Sequence, residues 1–390
     1  METAVTTSAA LVRLDCTVRC YAWGSRTVLA ELLGRAPGDE PQAELWVGAH
    51  PDAPARLRGD GRTLPEYIAG DAVAALGPEA GAGLPFLLKV LAVERPLSLQ
   101  VHPDAGQARE GFARENAAGL APDAPDRNYR DDSAKPELVC ALTPFDALCG
   151  LRAPAEAAVL VGALGVAALD EVVAALDAGD AKRAVEMLLT WPAARRAGLV
   201  EDVRKACGAL DGEPYRVVER LADLHPDDTG PVTSLLLNLV RLEPGQALNV
   251  PPRTLHAYLR GTAVEIMASS DNVLRGGLTP KHVDVAEVLA VADFGAFDPV
   301  PLAAEPAPNG EGVYPSPAAG FRLTRCAPGA EPVLLDRPGP SALLCLDGSV
   351  AISRDGRVEE LRRGEALFVP FQGGPVALTG AGEVFRATLS

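Results

Sequence analysis

The sequence has little positive charge for its length. Its 36 Lys and Arg residues are outnumbered by 52 Asp and Glu residues, which gives a formal net charge of −16 over 390 residues. A nucleic-acid-binding domain needs a basic face, so this balance argues against a nucleic-acid partner. The overall field would also repel an anionic substrate, and only a local cluster of cations could hold one.

Long apolar runs and a basic N-terminal region are also missing. No apolar stretch approaches the length that spans a bilayer, and the segment around Glu2 lacks the basic start of a signal peptide. The seven cysteines include no Cys-x-x-Cys pair, and Cys16 and Cys20 have no partners spaced to complete a zinc finger. We therefore expect reduced, mostly buried thiols, no membrane association and a location in the cytoplasm.

What the sequence does contain is a short alternation of polar and apolar residues between Leu97 and Asp104. Ser98, Gln100 and His102 recur with the period of two that is typical of a β-strand, so their side chains should share one face. A glutamine oxygen beside an imidazole nitrogen would suit zinc if further ligands came from elsewhere in the chain. Without such ligands, a histidine hydrogen-bonded within a sheet would be the better interpretation.

Two later stretches offer the further ligands. Glu137 begins an apolar run in Lys-Pro-Glu-Leu-Val, and His256 follows a proline turn. Together Gln100, His102, Glu137 and His256 provide two nitrogen and two oxygen ligands, of which one is anionic. Such a set leaves a position open for water or a substrate oxygen, which is typical of a catalytic zinc site. We expect one zinc ion per chain.

In these stretches the chain resembles the type I mannose-6-phosphate isomerases (phosphomannose isomerases). The matching segments follow the family order over the first three quarters of the chain: Tyr21–Ser25, Ala43–Pro51, Leu84–Leu91, Pro96–Pro103, Lys135–Leu138 and Glu265–Lys281. So many long motifs in register are more specific than any short pattern. The resemblance implies a zinc-dependent aldose–ketose isomerase that interconverts mannose 6-phosphate and fructose 6-phosphate through an enediolate. Its partner would be a small-molecule sugar phosphate.

The expected fold is mainly β with a helical insertion: two jelly-roll (cupin) barrels and an α-helical domain. We expect a catalytic barrel formed by residues 1–150 and 233–300, a helical insertion at 151–232 and a C-terminal barrel at 301–390. The insertion is rich in Ala, Leu, Val and Glu and has helical periodicity.

The C-terminal barrel should be a copy that has lost its metal. A Gly-x5-Pro turn begins at Gly245 and again at Gly364. Five residues after the proline, the first turn reaches His256, whereas the second reaches Pro375, which has no donor atom. We therefore expect this barrel to be structural.

The resemblance also implies roles for charged residues. Arg275 would reinforce zinc in stabilising the enediolate, and Lys135 and Glu265 are the candidates for proton transfer, since burial could tune the pKa of either. The candidates for binding the phosphate are Lys89, Ser98 and Lys281. Lys89 lies in an apolar strand, where it must either reach solvent along its stem or meet an anion.

One position departs from the family pattern: Ala134 stands where many relatives carry a histidine before the Lys-Pro-Glu motif. If that histidine opens the sugar ring, another group or water must do so here. His50 is interpreted as structural, and His225 as part of a solvated turn. Two alternatives stay open, an isomerase or epimerase of a related sugar and a non-catalytic sugar-binding cupin. We expect the protein to be a monomer.

Overall fold

The chain forms two antiparallel β-sheets and a helical segment in the computed structural model, which describes residues 10–79, 81, 83–317, 320–335 and 339–390. The N-terminal segment around Glu2, on which the signal-peptide prediction rests, lies outside the described residues. Within the described residues, no helix is both long and apolar enough to cross a membrane.

The strands are, in chain order, β1 (Val12–Asp15), β2 (Thr17–Arg19), β3 (Glu44–Gly48), β4 (Arg56–Leu57), β5 (Phe86–Val93), β6 (Leu99–Val101), β7 (Glu137–Ala141), β8 (Phe145–Leu151), β9 (Leu237–Leu242), β10 (Ala247–Val250), β11 (His256–Ala268), β12 (Leu274–Gly277), β13 (Glu305–Pro306), β14 (Gly312–Val313), β15 (Arg322–Cys326), β16 (Val333–Leu334), β17 (Ser341–Arg354), β18 (Arg357–Arg362), β19 (Ala366–Val369) and β20 (Ala377–Thr388).

The helices are α1 (Val28–Leu32), α2 (Leu64–Gly70), α3 (Ala72–Leu76), α4 (Ala105–Ala117), α5 (Pro154–Gly162), α6 (Asp170–Asp177), α7 (Ala181–Leu189), α8 (Ala193–Cys207), α9 (Glu213–Leu224), α10 (Gly230–Thr233) and α11 (Val285–Val291). Short 3₁₀ turns lie at Ala167–Leu169 and Ser234–Leu236.

The first sheet is built around the long strand β11, which pairs with β5, β6, β7 and β8. Strands β3 and β2 extend it beyond β5, and β12 joins through β6. The motifs singled out in the sequence lie on these strands or on the loops that follow them. We call this the site sheet.

The second sheet comes mostly from residues after 304, but its far edge belongs to the N-terminus. Strand β1 pairs with β19 and with β4, so residues 12–15 and 56–57 join the C-terminal strands. Residues 1–150 are expected to lie in the first barrel, but β1 and β4 from this range belong to the second sheet. The pairing joins segments more than 350 residues apart, and no local pattern in the sequence indicates it.

The two sheets pack face to face through one apolar cluster. Leu88 and Ile266 of the site sheet lie in the same cluster as Phe368 and Phe385 of the second sheet, and all four are at most 1% exposed. Burying apolar surface of this extent is the main favourable term in folding. The second sheet therefore covers the outer face of the site sheet.

The helical insertion is present, and it ends a few residues later than expected. Apolar faces of α5 to α10 pack together against the site sheet in a core that includes Val172, Val185 and Leu221. The second part of the catalytic barrel is expected to begin at residue 233, but residues 230–236 form helical turns and β9 begins at Leu237. Residues 232–236, Val-Thr-Ser-Leu-Leu, are buried, and a buried segment of that length does not distinguish a strand from a helical turn.

The two Gly-x5-Pro turns have the same backbone geometry. Gly245 has φ = 87° and Gly364 has φ = 82°, values that favour glycine, and each precedes a four-residue strand. A Cβ at Gly364 would lie 2.5 Å from the carbonyl oxygen of Leu32. Each turn is closed by an equivalent backbone bond of 2.9 Å, from Gln246 to Glu243 and from Glu365 to Arg362. The repeat expected from the sequence is therefore present in the backbone.

Candidate metal centre

Strand register brings the predicted ligands onto one face of the site sheet. Gln100 on β6 lies opposite His256 on one side and opposite Arg275 on the other. Directly opposite residues in antiparallel strands point to the same face, with Cβ atoms about 4.5–5.5 Å apart. His102 follows two residues after Gln100, and Glu137 begins β7. Local alternation and long-range pairing thus bring these residues together.

Three of these side chains form a tight, buried cluster. The Nε2 atom of His102 lies 3.3 Å from Oε1 of Glu137, and Nε2 of His256 lies 3.3 Å from Oε2 of the same carboxylate. One ligand atom from each residue fits within a group spanning no more than 4.8 Å. The three side chains are between 2% and 5% exposed.

Backbone carbonyls orient both imidazoles. Nδ1 of His102 donates to the carbonyl oxygen of Asn272 over 2.7 Å, and Nδ1 of His256 donates to that of Thr254 over 2.9 Å. Because a carbonyl can only accept, each ring keeps its proton on Nδ1 and turns the lone pair of Nε2 inwards. Nε2 of His102 is buried and makes no hydrogen bond to any described residue. An acceptor left unpaired in this way is costly unless a ligand meets it.

The ionisation states match a zinc ligand set. Burial, reinforced by Lys135, lowers the pKa of His102 to about 4, so its ring is neutral near pH 7. Burial alone would raise the pKa of Glu137, but Lys135 and the imidazoles outweigh it and hold that pKa well below 4.5. Two imidazoles and one carboxylate are the protein ligands of several catalytic zinc sites. These residues therefore fit zinc.

A second group of ionised side chains lies along the same sheet. On the neighbouring strands β11, β5 and β3, Glu265 lies opposite Lys89, and Lys89 lies opposite Trp46. The Nζ atom of Lys89 is 3.4 Å from Oε2 of Glu265 and 3.6 Å from Oε2 of Glu44, and it lies 5.0 Å from the centre of the Trp46 ring. Lys89 is thus buried between two carboxylates, which explains how the apolar strand accommodates it.

The two candidates for proton transfer occupy different surroundings. Burial and the nearby charge of Glu137 raise the pKa of Glu265 to about 7, with Lys89 and Lys135 acting in the opposite direction. Lys135 is also buried, and its Nζ atom lies 3.2 Å from Oε1 of Glu137. A carboxyl group that titrates near neutrality can both accept and release a proton under physiological conditions.

Three cations gather at the edge of the site. Burial and the neighbouring charge of Arg130 lower the pKa of Arg275, and burial, Arg275 and Arg130 together lower the pKa of Lys281. Among the described residues, none of the three has a salt-bridge partner within 4.0 Å. Arg275 and Lys281 were predicted, whereas Arg130 was missed because its loop, Asp-Arg-Asn-Tyr-Arg-Asp-Asp, is typical of a solvated surface. Ser98 is half-buried just before β6.

His50 has more partners than its sequence neighbours indicated. Its Nε2 atom lies 3.3 Å from Oδ2 of Asp271, its Nδ1 accepts from the amide of Asp52, and its ring meets the edge of Trp46. His50, Asp52 and Asp271 form the second cluster of possible metal ligands in the described part of the chain. The interpretation of His50 as structural overlooked both acidic residues: Asp52 lies two residues away in the sequence, and Asp271 comes from a loop more than 200 residues later.

The amino-acid sequence is similar to that of known enzymes over most of its length. Residues 11–154 match the catalytic domain of type I phosphomannose isomerase. The chain is 37% identical over 380 residues to mannose-6-phosphate isomerase of Escherichia coli, covering 95% of this chain and 97% of the relative. It is 31% identical to mannose-6-phosphate isomerase 1 of Arabidopsis thaliana, covering 92% and 89%.

Solved structures agree over almost the whole chain. A zinc-bound mannose 6-phosphate isomerase superposes with a TM-score of 0.91 at 34% identity, covering 98% of this chain and 100% of the other. The apo form of mannose 6-phosphate isomerase from Salmonella typhimurium gives the same values.

Proposed function

Because this chain belongs to the type I phosphomannose isomerase family, we propose that it interconverts mannose 6-phosphate and fructose 6-phosphate at the cluster of His102, Glu137 and His256, with one zinc ion bound there. The observation that carries the site assignment is the buried, unpaired Nε2 of His102, which faces a carboxylate and a second imidazole of the same orientation. Gln100, on the same face and opposite His256, is the proposed fourth ligand.

The bound metal would supply a positive charge beside the sugar oxygens O1 and O2, which stabilises the negative charge that develops there during proton transfer. Arg275 lies opposite Gln100 in the register, and we assign it to the same oxygens. Its guanidinium is permanently charged and carries several donors in a fixed plane.

Glu265 is our candidate for moving the proton between C1 and C2, because its pKa near 7 suits a group that must accept and then return a proton. Lys135, paired with Glu137, is the second candidate. Lys89 was expected to bind phosphate, but two carboxylates already offset its charge. We therefore propose that Lys89 instead keeps Glu265 in position.

For the phosphate, we propose Lys281 and Ser98, with Arg130 as an addition. Lys281, Arg130 and Arg275 form a group of cations without carboxylate partners among the described residues, in a chain whose net charge is −16. Such a group is what a dianionic phosphate requires where the overall field is repulsive. It also disfavours an unphosphorylated sugar as the substrate.

In architecture, we propose two jelly-roll barrels of the cupin type with the helical insertion between the halves of the first. The repeated turn at Gly245 and Gly364 supports a common plan for the two sheets. We place the protein in the cytoplasm as a monomer. All seven cysteines are free, as expected in a reducing compartment.

The test is a coupled assay for fructose 6-phosphate before and after removal of metal with a chelator. We expect turnover of mannose 6-phosphate, loss of turnover in the metal-free protein, and recovery at one equivalent of zinc. Unphosphorylated mannose is the control, with free fructose measured as its product, and it should not be converted. Undiminished turnover in metal-free protein would contradict the metal assignment, and turnover of mannose alone would favour the related-sugar alternative.

A further inference from the structure

Two loops beside the metal centre are joined by an unusually complete set of hydrogen bonds. The carboxylate of Asp131 accepts from the Ser270 hydroxyl through Oδ1 and from the Asp271 amide through Oδ2, each over 2.8 Å. In return, the side-chain amide of Asn272 donates to the carbonyl oxygens of Asp131 and Ser133, over 2.8 and 2.9 Å. We call Asp131, Ser133, Ser270 and Asn272 the loop clasp.

The clasp meets the metal centre through one backbone carbonyl. The carbonyl oxygen of Asn272 is the group that accepts from Nδ1 of His102 over 2.7 Å. Asn272 and Ser270 are fully buried, so the bonds that hold this carbonyl are shielded from water. The orientation of His102 therefore depends on where the clasp places Asn272.

The clasp also meets the group of cations. The side-chain oxygen of Asn272 accepts from the backbone amide of Arg130 over 2.7 Å, which ties the start of the first loop to the second. Arg275 follows Asn272 by three residues, at the second position of β12. The same hydrogen bonds therefore fix the backbone of Asn272, which orients His102, and the backbone that carries Arg130 and Arg275.

We propose that Asp131 is a positioning residue that couples zinc binding at His102 to phosphate binding at Arg130 and Lys281. The proposal rests on the proposed function above. The Asp131 carboxylate makes no contact with the three clustered ligands, yet it supplies the two acceptors that hold residues 270 and 271. Without it, the Asn272 carbonyl loses its fixed place, the His102 ring can turn, and Arg130 can move away from Arg275.

The experiment uses the full-length protein with Asp131→Asn, and Asp132→Asn is the matched control. Asp132 is adjacent, exposed and carries the same charge, and it has no hydrogen bond or salt bridge with the residues the structure describes. In Asp131→Asn, an NH₂ group replaces one of the two carboxylate oxygens. An NH₂ group cannot accept a hydrogen bond from the Ser270 hydroxyl or the Asp271 amide, so at least one bond of the loop clasp is lost.

The readouts are zinc affinity, from competition with a chromophoric chelator, and affinity for inorganic phosphate, measured with and without zinc. Loss of a partner that orients a metal-bound histidine typically weakens metal binding about 10- to 100-fold. We expect a loss of that size in Asp131→Asn and less than about 3-fold in Asp132→Asn. In the wild type, zinc should tighten phosphate binding, and in Asp131→Asn this enhancement should disappear.

Ser270→Ala keeps the test decisive if Asp131→Asn folds poorly. It removes the bonds of the Ser270 hydroxyl to Asp131, Ser133 and the Asn272 amide and leaves the Asp131 carboxylate in place, so a loss in the same direction is expected. The proposal is overturned if zinc affinity in these variants equals that of Asp132→Asn, or if zinc enhances phosphate binding as strongly as in the wild type. Failure of wild-type protein to bind zinc would instead refute the proposed function.

Discussion

Replacing His256 with alanine should abolish the stabilisation of the fold by zinc, and replacing His50 with alanine should not. The two histidines are a matched pair, because they are 2% and 3% exposed and each belongs to one of the two clusters of possible metal ligands. Each replacement leaves a buried cavity, and we expect both to cost on the order of 2–4 kcal/mol without metal. The difference should arise only when zinc is added.

The size of the zinc effect follows from mass action. A ligand that binds only the folded state at 100 times its Kd stabilises the fold by about 2.7 kcal/mol. Losing a partner that merely orients a ligand weakens metal binding by about 10- to 100-fold, so losing the His256 ligand should weaken it by at least about 100-fold. At the same zinc concentration, the stabilisation then falls to about 0.4 kcal/mol.

These energies correspond to measurable shifts in the melting temperature. An unfolding entropy of about 2.1 cal/mol/K per residue gives roughly 0.8 kcal/mol/K for 390 residues. Zinc should therefore raise Tm by about 3 °C in the wild type and in His50→Ala, and by less than about 1 °C in His256→Ala. The Tm is measured by calorimetry on protein from which metal has been removed, before and after zinc is added. An equal rise in His256→Ala, or a lost rise in His50→Ala, would move the zinc site to the other cluster.

Three further predictions concern protonation, charge and packing. The pKa of Glu265 is raised from 4.5 to about 7, so its protonated form stabilises the metal-free fold below about pH 4.5, and this contribution disappears as the pH rises through 7. Between those limits, the unfolding free energy of the wild type should fall relative to Glu265→Gln by up to about 3 kcal/mol, and a constant difference in denaturant titrations would contradict the assignment. Lys281→Ala and Arg130→Ala should mainly raise KM for mannose 6-phosphate, whereas Arg275→Ala should mainly lower kcat; equal effects on KM alone in all three would refute these separate roles. Deletion of residues 301–390 should give insoluble protein, because it uncovers the outer face of the site sheet; soluble, active protein would show that the second sheet is dispensable.

The sequence predicted the metal cluster because its ligands follow local rules. Period-two alternation placed Gln100 and His102 on one face, and the proline turn located His256. Each pattern extends over fewer than a dozen residues, so each can be recognised without knowledge of the tertiary structure. The structure then brings His102, Glu137 and His256 within 4.8 Å through strand pairing.

The distant partners of His50 and Lys89 could not be predicted, because each comes from a segment far away in the sequence. Asp271 reaches His50 from a loop after β11, and Glu44 reaches Lys89 from β3. A shift of one residue in any of these pairings would turn the partner side chain to the opposite face. The sequence alone does not show which of the alternative pairings has the lowest free energy.

The same limit applies to the fold. Helices of the insertion were predictable because an amphipathic face recurs within each segment. The addition of β1 to the second sheet was not, because its four residues carry no signal of a partner near residue 367. That pairing is stabilised by the shared apolar cluster, in which Leu14 lies with Phe368.

The division of the cations into paired and unpaired groups explains how an acidic protein can bind an acidic substrate. Lys89 and Lys135 are buried, and each lies within 4.0 Å of a carboxylate, so their charges act over short range on proton-exchanging and metal-binding groups. Arg130, Arg275 and Lys281 have no such partner within 4.0 Å among the described residues, and a bound anion would relieve their mutual repulsion. A free carboxylate beside them would cancel this preference. The net charge of −16 then acts as a general barrier that the cation group lowers at one place, and we expect anions that cannot reach it to be excluded.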